Sequence, residues 1–203
     1  MPPVETDTIS LDDYLAEMGE ALDCFFTFED VPDSEGSLPW IEYIAITPDS
    51  EIESIDDLVD KLNEELDGVT VVRSLAYPSV VHLIADVLMQ EGYVMEDEVD
   101  VEYSGDIGSL PYHLGTLLDG RIGMPSGGPI NGIPGDSVTQ VDINVQNQSV
   151  RDVLTGAVPF NEYNRIPWES YPEQENGSSR VVVRYFGPRP EPEENGDDEE
   201  PDE

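Results

Sequence analysis

Two histidines, one cysteine and 46 carboxylates are the residues of this chain best suited to chemistry. His82 sits among Val80, Val81, Leu83 and Ile84, and His113 lies far along the chain, each in a stretch that reads as helix. No H-E-x-x-H pattern joins them, so a zinc protease is not indicated. His82 is expected to pack at the edge of a core. Cys24 is the single cysteine, which excludes an intramolecular disulfide and a cysteine-rich zinc site. It lies just before Phe25 and Phe26 with no base nearby in sequence, so it reads as a small buried residue. A serine nucleophile needs a positioned base, and the chain has no G-x-S-x-G elbow. No catalytic residue and no cofactor is implied.

Carboxylates are hard oxygen ligands, so calcium is the ion to consider. The weak candidates are Asp30, Asp33 and Glu35 in one stretch, and Glu96, Asp97, Glu98 and Asp100 in another. Neither stretch matches the spaced calcium loop, and solvated loops are expected instead. The run RIGMPSGGPINGIPGD lacks the spacing of a phosphate-binding loop and reads as a linker, or as a partner-binding or lid loop. Five arginines gather late in the chain: Arg151, Arg165, Arg180, Arg184 and Arg189. On a strand, Arg180, Val182 and Arg184 share one face. Arg165, Arg180 and Arg184 are therefore candidates to pair with acids of residues 1–110 or to meet an acidic partner.

The charge balance narrows the function classes. The 203 residues carry a net charge of −38. Residues 1–110 hold 29 acids against Lys61 and Arg73, residues 111–190 hold 8 against six arginines, and residues 191–203 hold 9 against none. So acidic a chain has few cations with which to bind nucleic acid phosphates or anionic lipid. No apolar run reaches the ~20 residues that span a bilayer. The start, MPPVE, has neither a basic nor an apolar leader region. Compartment stays open: periplasmic or extracellular if a signal was removed, otherwise cytoplasmic. A saline environment would account for part of the acidity and the scarcity of lysine.

The elements that must position these residues follow from patterning. Residues 1–9 read as a disordered lead. Ser10 caps a helix with Leu11, Leu15, Met18 and Leu22 on one face. Phe25–Phe28 and Trp40–Ile46 read as strands, with a loop over Val31–Pro39. Ser54 caps a second helix through Leu66, with Gly68 at its end. Val69–Arg73 is a strand. Pro78 opens a third, centrally buried helix through Leu88, stopped by Gly92. Val99–Tyr103 alternates as a half-exposed strand, and Ser109 and Pro111 open a fourth helix through about Leu118. After the Gly/Pro-rich stretch 119–137 come a strand at Val138–Val145, a short helix capped by Ser149, and strands at Arg165–Tyr171 and Val181–Phe186. Asn176-Gly177 is a turn signal between the last two strands. Residues 188–203 read as a disordered acidic tail. The expected class is α+β or α/β, with alternating helices and short strands in a mixed sheet. The expected units are an acidic α/β domain at 10–118 and a β-α-β-β module at 138–187. Whether these share a sheet stays open.

The stretch Val138 to Gly187 resembles the small β-α-β-β modules of secretins and TonB-dependent receptors. Val145, Asn147, Ser149, Val150, Arg151, Asp152, Val153 and Leu154 carry the resemblance. It implies an interaction domain of the cell envelope in which RIPWESY and RVVVRYFG complete the sheet. It brings no catalytic residues, and an acidic tail follows here, so neither a pore nor a receptor is implied. The expected function is a non-enzymatic protein–protein interaction or scaffold, through a protein partner or self-association. One alternative is an acidic mimic or inhibitor of a basic, nucleic-acid-binding protein. Another is a hydrolase with an unrecognised carboxylate site.

Overall fold

The computed structural model describes residues 9–31, 45–46, 52–124, 139–158, 165–175 and 178–185, which form an α+β fold. Strand β1 (Ile9–Ser10) leads into helix α1 (Leu11–Leu22), and strand β2 (Phe25–Glu29) follows. Strand β3 (Ala45–Ile46) precedes helix α2 (Ile55–Glu65) and strands β4 (Val69–Arg73) and β5 (Val80–Ala85). Strand β6 (Glu98–Asp106), helix α3 (Leu110–Leu117) and strand β7 (Ile122–Gly123) come next. The chain continues as strand β8 (Gln140–Ser149), helix α4 (Val150–Ala157) and strands β9 (Trp168–Glu175) and β10 (Ser178–Tyr185).

Three helices start from the same local chemistry. The hydroxyls of Ser10, Ser54 and Ser149 accept from the backbone N–H of Asp13, Asp57 and Asp152, each at 3.1 Å. Each cap satisfies an orphan helix donor and contributes about 1 kcal/mol.

The main sheet has the order β4-β5-β2-β9-β10-β7. Strand β2 runs parallel to both β5 and β9, while β4–β5 and β9–β10 are antiparallel pairs. Alternation along the strands separates two cores. Phe26, Phe28, Val71, Val81 and Leu83 point to one face and meet Leu11, Tyr14 and Leu15 of α1 and Leu58 and Leu62 of α2. Trp168, Val181 and Val183 point to the other and meet α3, α4 and the ribbon formed by β6 and β8. The two stretches expected as separate units thus contribute strands to one sheet.

Several expectations are corrected. The third helix is β5, a strand buried at every position. A strand covered on both faces reads as a continuous apolar run, which the helical pattern also permits. Gly92 has the positive φ of a turn (86°), but it stops no helix. The β-α-β-β order holds after residue 138, yet its strands do not complete one sheet. Strand β8 pairs with β6, while β9 and β10 join the main sheet. Val145 stands opposite Val101 and Ile143 opposite Tyr103, and Val141, Ile143 and Val145 pack against the core that includes Val99 and Val101, so burial draws β8 to β6. The Gly/Pro-rich stretch also begins as a strand, since Ile122 and Gly123 pair in parallel with Val181 and Val182. The strand at Trp40–Ile46 is described only at Ala45–Ile46, which pairs with β1. The lead before Ile9, most of the loop at 31–39, residues 125–138 and the tail lie outside the described residues.

Helix α3 crosses β7 closely. A methyl on Gly115 would lie 2.3 Å from the Ile122 carbonyl oxygen. Helix propensity alone favours alanine over glycine by ~1 kcal/mol. The backbone contact reverses that sign, so Gly115→Ala is expected to cost about 1–3 kcal/mol. For a chain of this size that lowers Tm by roughly 2–4 °C per kcal/mol. A thermal melt in which the variant matches or exceeds the parent would show that the α3–β7 contact yields without cost.

Candidate functional site

The face of the main sheet beneath α4 carries polar residues where a core is normally apolar. Register places Ile84 of β5, Glu29 of β2 and Ser170 of β9 in one row across three parallel strands. His82 and Thr27 form the next row, and the Trp168 ring lies 6.4 Å from the His82 ring. Thr27, Glu29, His82, Arg151, Thr155 and Ser170 are all buried.

Arg151, in the first turn of α4, reaches down to this face. Its Nε and Nη2 donate to the two Glu29 carboxylate oxygens, the second at 2.9 Å. Its Nη1 donates to Glu96 at 2.6 Å. The Glu29 side chain is fully buried, and that of Glu96 is 56% exposed, so the triad runs from the interior to the surface. Burial works against the charge on Arg151. The hydrogen bonds and field of Glu29, then those of Glu96, outweigh burial and hold the guanidinium above its usual range. The Tyr93 hydroxyl faces Glu29 and Ser170; burial first, then the Glu29 charge, raises it far above the ordinary phenol range.

His82 has the opposite fate. Burial, reinforced by the positive Arg151, pushes its pKa down to about 3. It is neutral at physiological pH, and its Nδ1 lies 2.6 Å from the Thr27 hydroxyl. A neutral, sealed imidazole beside a carboxylate saturated by a guanidinium can hold strands and helix together. A cavity of about 20 Å³ lies among Leu11, Phe28, Leu66, Val69, Leu83 and Ala85, with Glu29 and Asp30 at the end of β2 completing its lining. That volume suits about one water molecule.

The other candidate residues go elsewhere. His113 packs against the Tyr103 ring at 5.1 Å. Cys24 is buried, and burial pushes its thiol up to about 11. Of the calcium candidates, Asp33 and Glu35 lie outside the described residues. Asp30 accepts from the Val31 N–H at 2.6 Å. Glu96 is drawn to Arg151 and Asp97 to Arg121. The Asp100 carboxylate accepts from the Asn147 N–H at 2.9 Å, at a bulge in the ribbon. The second acidic run therefore does not converge, because these three carboxylates each have their own donor. Among the described residues, no three His, Cys, Asp or Glu residues cluster as a metal site.

The three candidate partner-binding arginines are engaged within the chain. Arg165 pairs with Asp23 at 3.0 Å and lies over the Phe25 ring, which is a pairing with residues 1–110. Arg180 and Arg184 instead pair across their own hairpin, with Glu173 at 2.8 Å and Glu169 at 2.7 Å. Antiparallel register sets these residues directly opposite one another, which makes the hairpin acids the nearest partners. Burial raises the Glu169 carboxyl; Arg184 counters that, and Asp30 adds to it.

Sequence reasoning missed Glu29 and did not distinguish Arg151 from its neighbours. The available signal was a charge at the end of one apolar run, FFTFE, and inside another, VRDVL. Compared with known proteins, the chain matches no family model, no curated protein and no solved structure.

Arg151→Met leaves Glu29 buried and unpaired and is expected to cost about 3–5 kcal/mol, while Glu29→Gln/Arg151→Met is expected to cost less than that single change. Denaturant unfolding of both variants checks this, and additive losses would contradict it. For pH, the folded state resists protonating His82 and the unfolded state accepts the proton near the ordinary histidine value of 6.5. Stability contributed by neutral His82 is thus present above pH 6.5 and lost as pH falls toward about 3, at roughly 1.4 kcal/mol per unit. Unfolding free energies measured between about pH 6.5 and 5 should fall less steeply in His82→Asn.

Proposed function

We propose that this protein acts by binding another protein, and that the partner is basic. This joins the interaction reading to the charge-mimic reading and sets the hydrolase reading aside. The observation that carries it concerns the cations. All seven described lysines and arginines (Lys61, Arg73, Arg121, Arg151, Arg165, Arg180 and Arg184) are ion-paired within the chain. Each pair also uses at least one acid, so no described cation is left over to oppose the other carboxylates of a chain at −38.

Such a surface attracts cationic partners over distances of about a Debye length and speeds their encounter. It repels nucleic acid and anionic lipid. No described helix is long and apolar enough to cross a membrane. The outer face of the ribbon adds to the field, with Glu98, Asp100, Glu102 and Asp142 exposed.

The test uses the full chain as bait in a native lysate at about 0.1 M and about 1 M salt, since screening at the higher salt is nearly complete at contact range. The expected result is a stoichiometric basic protein retained at low salt and released at high salt. Capture of a neutral or acidic protein indifferent to salt would overturn the reading.

A further inference from the structure

Strand β4 ends the main sheet and pairs only with β5 among the described strands. Its outer edge is not left bare. The Asn63 side chain, from α2, donates through Nδ2 to the Val71 carbonyl at 2.8 Å. Its Oδ1 accepts from the Val71 N–H, also at 2.8 Å. One carboxamide thus makes the two bonds that a residue of an added strand would make. Nδ2 also donates to the Val59 carbonyl at 3.0 Å, which anchors the amide on its own helix.

Beside this edge runs a line of acids. Asp56, Asp60 and Asn63 recur at helical spacings of four and three, and Asp67 follows in the turn that leads into β4. Asp56, Asp60 and Asp67 are exposed. Arg73 of β4 pairs with Asp56 at 2.9 Å, which fixes the line against the strand. Helix α2, at eleven residues, is about 16 Å long, and five-residue β4 is about 17 Å. The acids therefore accompany the strand along its length.

We propose that the outer edge of β4 is a docking site for an extended basic segment of a partner protein, with Asn63 as the built-in competitor for that edge. This rests on the basic-partner reading above and adds the place and the mode. The segment's backbone takes over the bonds that Asn63 makes to Val71, as in strand addition. Its lysine or arginine side chains lie along Asp60 and Asp67, Asp56 being held by Arg73. A second copy of this chain suits the edge poorly, because both copies carry −38. Until displaced, Asn63 also guards the edge against unintended pairing.

The test uses the full chain and a five-residue peptide alternating lysine and valine, blocked at both ends, at about 0.05 M salt, where screening is weak. Alternation places the amides of Val69, Val71 and Arg73 on the outer edge of β4. Binding is expected to slow hydrogen exchange at the Val69 and Arg73 amides at least about tenfold, the Val71 amide being already held by Asn63, and a lysine–proline peptide of equal charge, unable to pair as a strand, is expected to leave them unchanged. Asn63→Ala is expected to bind the lysine–valine peptide about tenfold more tightly, since the competing bonds are gone. Exchange in the unaltered chain tests the edge even if that variant folds poorly. Binding that leaves the Val69 and Arg73 amides unprotected, or no gain in a folded Asn63→Ala, would overturn the edge assignment while the basic-partner reading stands. No binding at this salt would likewise overturn the edge assignment, and the lysate capture decides the basic-partner reading separately.

Discussion

A buried carboxylate and a buried guanidinium are each too costly to leave alone in a protein interior. Glu29 and Arg151 resolve this by sharing two hydrogen bonds, although 122 positions separate them in sequence. The pairing has wide consequences. It ties α4 to the central strand of the main sheet, and through Glu96 it ties both to the turn that leads into β6. Val150 adds a backbone bond to the Asp97 carbonyl at 3.0 Å, which seats the start of α4 on the same turn. The central parallel strand, the helix above it and the entry to the ribbon therefore meet at one ionic contact. Its positive charge also helps keep His82 neutral.

The same economy governs the rest of the chain. With eight bases against 46 acids, every cation has many possible partners. The described ones are spent on joints of the fold: Arg165 joins the approach to β9 to the end of α1, Arg180 and Arg184 lace a hairpin, and Arg121 meets the turn before β6. Exposed pairs of this kind contribute at most about 1 kcal/mol each. Their larger effect is on the field, because no described cation remains to offset the acids. The stability of the fold comes mainly from two apolar cores on either side of one sheet.

Asn63 shows how a polar residue can finish a sheet. A neutral carboxamide caps the Val71 backbone while acids on the same helix keep the edge charged. Backbone closure and charge are independent properties of the edge, so a partner of the right charge that can also pair as a strand meets both.

The sequence by itself determined much of the local structure. The serine caps at Ser10, Ser54 and Ser149, the helical stripes and the alternation in β6 are all legible, because each depends on neighbours within a few residues. Strand β5 is not, because burial on both faces erases the alternation that distinguishes a strand from a helix. Which strands pair, and so whether residues 10–118 and 138–187 share a sheet, was decided only in three dimensions. The same holds for the site. Nothing in FFTFE or VRDVL says that Glu29 and Arg151 will meet, because a long-range ion pair leaves no periodic trace. The tertiary structure selected that one pairing from the many that so acidic a chain permits, by burying both groups side by side on the inner face of the sheet.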